Sequence, residues 1–204
     1  MNNWDDYYTK NKPEDIPWTG ASEIFLGKIW KKFNLSLKGN ILDIGCARGD
    51  KSIFLASKGY KIWGIDISEV AVNISKEASK NLKNKPEFIT ADISKLNEVD
   101  EIKGVKSDAI LDLSLSQFLK SDEKEKYLEK LSKYLKHDQT FYILLTFAKD
   151  DESDKQEEIA DWVKQIAQSH KEVESIYGKY FKSLDKSRSY SNKGKSDTYI
   201  LKAK

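Results

Sequence analysis

Asn40-Ile41-Leu42-Asp43-Ile44-Gly45-Cys46-Ala47-Arg48-Gly49-Asp50 is the stretch whose reading decides the fold. An apolar run breaks into small residues, and Ser52-Ile53-Phe54-Leu55-Ala56-Ser57-Lys58 then resumes at helical spacing. Strand, tight turn and helix is the economical reading. Such a junction points backbone N–H groups and a helix N-terminus into one crevice, where a ligand can be held.

Working outward, the same alternation repeats. Lys61 to Asp66 reads as a second strand ending on a carboxylate, with a helix over Glu69 to Leu82 after it. Glu87 to Asp92 is a third strand ending on a carboxylate, and Ser107 to Leu113 a fourth. A charged helix is expected over Asp122 to Leu135. The apolar run Thr140 to Phe147 suits a strand covered on both faces. Ser153 to His170 reads as a helix with an acidic first turn. Glu172 to Phe181 and Ser196 to Leu201 read as β segments, joined by a Lys/Ser/Gly-rich connection over 182–195 that is expected to be a solvated flexible loop. Upstream, residues 1–20 hold Trp4, Tyr7, Tyr8, Trp18 and two X-Pro steps that resist helix, so this segment is expected to wrap over a preformed surface. Ser22 is placed to cap a helix running to about Asn34.

The pattern predicts an α/β fold. It is a doubly wound, seven-stranded, mostly parallel sheet with an antiparallel C-terminal β-hairpin and helices on both faces. With no repeat and no linker, one domain is expected: an N-terminal aromatic lid and helix over 1–34, packed on a ligand-binding domain over 35–204. A chain of 204 residues is long enough for one sizeable core. Thirty-five basic against 33 acidic residues leave a net charge of +2, which gives no global drive toward nucleic acid. No apolar run approaches the ~18–20 residues that span a bilayer, and the first residues lack a basic and apolar secretion signal. A single cysteine excludes an internal disulfide framework. A cytoplasmic protein is expected, as a monomer or weak dimer.

Three carboxylates fall at strand ends: Asp43 by the turn, then Asp66 and Asp92. Ligands of a doubly wound sheet bind outside the carboxyl ends of its strands. Asp66 lies about twenty residues past the turn, where an acid accepts both ribose hydroxyls. Asp92, one strand on, is placed to accept a hydrogen bond from an adenine amino group. A dinucleotide fingerprint needs glycine at its first, third and sixth positions. Counted from Gly45, the third is Ala47 and the sixth is Asp50. Asp50 would repel a pyrophosphate yet tolerate a cationic centre, which favours a sulfonium-bearing nucleoside without phosphates.

The segment Ile41 to Asp50 resembles the first motif of class I S-adenosylmethionine-dependent methyltransferases. Asp66-Ile67-Ser68 resembles the family's ribose-binding acidic loop, Ala91-Asp92-Ile93 its adenine-binding loop, and Asp108 to Leu113 the fourth strand, at whose end methyl donor and acceptor meet. The resemblance covers roughly residues 35–204. It implies a Rossmann-like fold, S-adenosylmethionine as cofactor with S-adenosylhomocysteine as product, and a cofactor site of Asp43, Gly45, Cys46, Ala47, Gly49, Asp66, Ile67, Asp92, Ile93, Asp112 and Leu113. Ala47 departs from the family's usual middle glycine, and its methyl is expected to face the ligand. The Trp4-Asp5-Asp6-Tyr7-Tyr8 opening and Ile16-Pro17-Trp18 resemble the N-terminal lid of the small-molecule group, which includes thiol, thiopurine, halide and tellurite-type enzymes. In that group Trp18 would pack over the cofactor and Asp112 would lie near the reacting methyl. Without the resemblance, Trp4, Tyr8 and Trp18 read as hydrophobic anchors of a terminal segment.

The acceptor is then expected to be a small molecule, since no substrate domain is inserted. Asp112, Ser114 and Gln117 are the candidate catalytic residues. Tyr8, Trp18, Ser114, Gln117 and Arg188 are the candidate substrate contacts, Arg188 as an anion contact at the site mouth. No Cys/His cluster has metal-ligand spacing. Two other readings stay open: an RNA or protein methyltransferase using the basic segment 179–195, and a cofactor-binding module without catalysis.

Overall fold

β1 (Asn40–Ile44) is buried along all but its first residue, as its Ile and Leu require. β2 (Lys61–Asp66) is exposed only at Lys61. The computed structural model describes residues 3–16, 22–33, 39–149, 161–191 and 194–204. β1 runs parallel to β2 with Ile41 opposite Ile62 and Ile44 opposite Ile65. β2 runs parallel to β3 (Glu87–Thr90). Parallel neighbours need crossover connections, and α3 (Asp50–Ser57) and α4 (Glu69–Ser79) supply them. The ring of Phe88 fixes the packing here: a Cβ on Gly64 would stand 2.7 Å from it. With α1 (Asn3–Lys10), α2 (Ser22–Phe33) and short 3-10 turns, these elements form one compact unit, Met1–Ile110.

The second unit, Leu111–Lys204, carries most of β4 (Ala109–Leu113), then α5 (Ser121–Ser132), β5 (Phe141–Phe147), α6 (Asp161–Ile166), α7 (His170–Tyr177), β6 (Phe181–Ser191) and β7 (Gly194–Ala203). β7 is antiparallel to β5, with Ile143 opposite Ile200, and antiparallel to β6, with a register shift between Ser183 and Asp185. Tyr142 lies at the centre of this core, its ring 4.8 Å from that of Phe181 and 5.8 Å from that of Tyr177. The strand order is β3-β2-β1-β4-β5-β7-β6 in one seven-stranded sheet. The expected Rossmann-like α/β sheet and its antiparallel C-terminal hairpin are both present.

Four local expectations are corrected. Residues 3–10 are helical despite the aromatic, turn-prone composition around them, because the X-Pro steps begin only after Lys10. Glu172 to Tyr177 is helix, not strand, and begins with a reciprocal cap: Glu172 N–H donates to Ser169 Oγ at 3.2 Å and Ser169 N–H to Glu172 Oε2 at 2.7 Å. His170 therefore opens a helix rather than ending one. Residues 182–191 are strand, not loop; the Lys- and Ser-rich sequence is that of an outer strand paired on one side only. Most of the helix expected over Ser153 to His170 lies outside the described residues, as does the Pro17-Trp18 step.

Candidate active site

The turn after β1 is built by backbone groups. Gly45 N–H and Cys46 N–H both donate to Ile65 O, at 2.7 and 3.0 Å. Gly45, Ala47 and Gly49 have φ of 74°, 52° and 76°, the left-handed region that glycine enters most easily. A Cβ on Gly49 would stand 2.6 Å from Phe88 Cζ and 2.8 Å from Ser75 Oγ, so glycine is needed there for space as well as for φ. Asp43, 2% exposed, accepts from Ser52 Oγ at 2.7 Å and fastens the strand to α3. Cys46 is buried. Desolvation, with Asp43 and Asp66 adding their charge, pushes its thiol well above the ordinary value, so it is no nucleophile.

Asp66 completes this turn from β2. Its Oδ2 accepts from Ala47 N–H at 2.8 Å and its Oδ1 from Ser68 N–H at 2.9 Å. Burial is the largest influence and raises its carboxyl above the ordinary value, against the lowering by those N–H groups. With the Ile67 N–H, which also lowers it, three of the roughly four lone-pair directions of a carboxylate are engaged and about one is left. Ile67 beside it is 41% exposed, an apolar surface that the face of a flat ligand can cover. Asp92 and Ile93 are half-buried at the end of β3, and Asp92 Oδ1 accepts from Ser94 N–H at 2.8 Å. An acid, an apolar face and a second acid suit ribose hydroxyls, a base and its amino group.

The N-terminal helix is held at both ends, by the start of α4 at one and by Arg48 of this turn at the other. Asp5 accepts from Ser68 Oγ at 2.7 Å and from Val70 N–H at 3.3 Å, which hold its carboxyl below the ordinary value. Arg48 Nη2 donates to Tyr8 O at 2.9 Å and Asn11 O at 2.8 Å, covering carbonyls at the C-terminal end of α1. Tyr8, Ile16, Ala47 and Ala71 form a buried cluster, with Trp4, Tyr7 and Val70 packed against it. Two expectations change here. The Ala47 methyl meets the N-terminal segment rather than a ligand. Tyr8, 4% exposed, is a packing residue rather than a substrate contact.

In the second unit, Asp112 is fully enclosed. Its Oδ1 accepts from Leu115 N–H at 3.2 Å and Ser116 N–H at 3.0 Å, and its Oδ2 from Tyr142 OH at 2.5 Å. Burial raises its carboxyl above the ordinary value despite these donors. It holds the chain after β4 in place, and both of its oxygens are engaged in doing so. Leu113 is 8% exposed. Ser114 is half-buried with φ 78°, strain of a kind that collects at functional turns. Gln117 is 3% exposed, and its Oε1 accepts from Phe147 N–H at 2.8 Å. Arg188 gives a two-pronged ion pair to Asp197, Nε–Oδ1 2.7 Å and Nη2–Oδ2 2.9 Å, so its charge is spent within the β6–β7 hairpin and not on a ligand anion. Trp18 lies outside the described residues.

Reading the sequence missed Asp5 and Arg48. Only Ser68, a cap before an apolar helical pattern, advertised the place where Asp5 docks. Among the described residues no group of His, Cys, Asp and Glu could hold a metal ion, and no helix is long and apolar enough to cross a membrane.

The strand order, the turn and its acids define a nucleoside-binding doubly wound enzyme fold. A family model for a methyltransferase domain matches residues 35–202, and the chain belongs to that family, as a class I S-adenosylmethionine-dependent methyltransferase. An uncharacterised methyltransferase of Schizosaccharomyces pombe is 32% identical over 117 residues, which are 57% of this chain and 77% of that protein. The N-methyltransferase NodS from Bradyrhizobium japonicum, in complex with S-adenosylhomocysteine, is similar over 98% of this chain and 97% of its own, with TM-score 0.72 and 14% identity. Magnesium protoporphyrin IX methyltransferase from Synechocystis, with S-adenosylhomocysteine bound, is similar over 90% and 81%, with TM-score 0.70 and 19% identity. At these identities the two crystal structures share the fold, and the differing acceptors in their names pass nothing on to this chain.

Proposed function

We propose that this methyltransferase acts on a small-molecule acceptor, and that the first unit holds the cofactor through Asp66 on the ribose, Ile67 and Ile93 on the faces of the base, Asp92 on its amino group, and the backbone of Gly45 to Gly49 around the rest. When bound, S-adenosylmethionine supplies an activated methyl on a sulfonium, which an acceptor lone pair displaces in line to leave the thioether. The chain's share of such a reaction is mainly to hold two reactants at near-attack distance and to keep water out. No acid/base pair is required of it for an acceptor that is already deprotonated. Asp43 and Ser52 fix the strand beneath the turn, and Asp112 fixes the loop that carries Ser114 and Gln117.

The observation that carries the small-molecule reading is the docking of α1. A helix fastened by Asp5 and Arg48 beside the cofactor turn narrows access to it, as suits an enclosed acceptor better than a polymer. A screen with labelled cofactor across thiols, phenols, halides, amines and RNA tests this. Turnover with a small molecule is expected; turnover with RNA or protein alone rejects it. Calorimetry on the same preparation is expected to show S-adenosylhomocysteine binding in the micromolar range or tighter, and no heat at high micromolar ligand rejects the cofactor assignment.

A further inference from the structure

Asp66 is held by two separate loops of the first unit. Ala47 N–H reaches its Oδ2 from the turn after β1, and Ser68 N–H reaches its Oδ1 from the start of α4. With the Ile67 N–H also engaged, about one lone-pair direction remains for a ribose hydroxyl. A hydrogen bond weakens steeply as its angle closes. This carboxylate is 7% exposed and fixed by backbone donors, so a small shift of either loop would tilt it and misdirect that last position.

Helix α1 joins those same two loops. Near its start, Asp5 Oδ1 accepts from Ser68 Oγ at 2.7 Å and from Val70 N–H at 3.3 Å. Ser68 is fully buried and its Oγ also accepts from Ala71 N–H at 3.1 Å, so Asp5 takes the one proton that this hydroxyl can give. At the other end Arg48 Nη2 holds Tyr8 O and Asn11 O. At helical rise, the stretch from Asp5 to Asn11 is a strut of about 9 Å. Ala47 rests on the same segment. It is an alanine at φ 52°, in the left-handed region, and it shares a buried cluster with Tyr8, Ile16 and Ala71. Strain of that kind persists where the surroundings over-determine it, and here the N-terminal segment supplies them.

We propose that Asp5 and Arg48 are positioning residues for the cofactor: α1 is a brace that sets the Ala47 and Ser68 N–H groups and, through them, aims Asp66 at the ribose. This rests on the ribose assignment of Asp66 above. Helix α1 then does more than narrow access to the turn, since it raises cofactor affinity through another residue's carboxylate. Coupling of this kind is reciprocal, so bound cofactor in turn holds α1 more firmly.

The test is a double-mutant cycle on the affinity of the full chain for S-adenosylhomocysteine, read by calorimetry. Asp5→Ala is expected to weaken binding by about five-fold in the wild-type background and to cost nothing further in an Asp66→Ala background. Arg48→Met is likewise expected to cost affinity only where Asp66 is present. Asp5→Asn keeps an oxygen for Ser68 Oγ and Val70 N–H, and is expected to retain wild-type affinity within about two-fold. A second measurement needs no substitution in the brace: saturating S-adenosylhomocysteine is expected to slow trypsin cleavage at Lys10 and Lys12 several-fold, and to do so less in Asp66→Ala. A loss from Asp5→Ala or Arg48→Met that is the same in both backgrounds overturns the brace. So does a loss in Asp5→Asn equal to that in Asp5→Ala, or equal cleavage with and without ligand. If Asp66→Ala by itself leaves affinity unchanged, the ribose assignment falls and the brace with it. If Asp66→Ala weakens binding while Asp5→Ala does not, the brace alone falls.

Discussion

At Gly49 two constraints act together: a φ of 76°, and the 2.6 Å that would separate an added Cβ from Phe88 Cζ. Left-handed backbone costs a side-chain-bearing residue about 1–2 kcal/mol, and overpacking a filled core adds about 1–3 kcal/mol. Gly49→Ala is therefore expected to lower stability by about 2–5 kcal/mol in urea titrations. Adding Phe88→Leu should restore the steric share and leave the backbone share. At Asp66 the expectation concerns the ligand: Asp66→Ala should weaken S-adenosylhomocysteine by about 1.5–3 kcal/mol, the worth of a charge-assisted bond. Calorimetry with unchanged affinity would remove Asp66 from the ribose. The glycines and acids of this turn were legible because their spacing along the chain is itself the geometric constraint. The direction of the Ala47 methyl and the pairing of Arg188 were not, because Tyr8 and Asp197 meet those residues only after folding.

Helix α1 shows how an element's role depends on partners that no local pattern reveals. Its short polar sequence has little drive to be helical alone, and it is held by Asp5 on Ser68 and Val70 and by Arg48 on Tyr8 and Asn11. Arg48→Met keeps apolar bulk and removes both charge-assisted bonds, each worth about 1.5–3 kcal/mol when sheltered and less at this half-buried site. The N-terminal segment is then expected to be cut faster by trypsin at Lys10 and Lys12 while the remainder resists. Wild-type cleavage rates would show that Arg48 does not hold the helix. Because Asp5 is held below its ordinary value, its share of the docking is present above that value and lost as pH falls through the lowered one. Two elements were misread for opposite reasons. In α7 the signals were present, namely Ser169 and Glu172 as a cap and Val173, Ile176 and Tyr177 at helical spacing, but β-branched and aromatic residues outweighed them. In β6 hydropathy is silent, since Lys182, Ser187 and Ser189 are what an outer strand presents to water.

Over the whole chain, 35 basic and 33 acidic residues nearly cancel, so overall charge repulsion changes little near neutral pH. Individual buried groups then set how stability depends on pH. Burial works against Asp197, yet Arg188 and Lys186 hold it below the ordinary carboxylate value, so its contribution is lost only in acid. Asp66 and Asp112 are raised, and for them the sign reverses. Between the ordinary value and the raised one, the native state binds more protons than the unfolded chain, so stability falls as pH rises through that window. Asp112 isolates the effect. Asparagine at this position keeps an oxygen for Leu115 N–H and Ser116 N–H, and turns its NH2 toward Tyr142 OH, which accepts as a hydroxyl can. Asp112→Asn thus removes a buried charge and leaves the loop after β4 supported. Relative to wild type it is expected to gain stability as pH rises from the ordinary carboxylate value through the raised one, by about 1.4 kcal/mol for each unit by which folding raises Asp112, and then to level off. Urea titrations of both proteins across that range measure the difference directly. A constant offset would mean that Asp112 titrates alike in the folded and unfolded chain, and that its enclosure by Tyr142 and the two N–H groups offsets the whole cost of burying its charge.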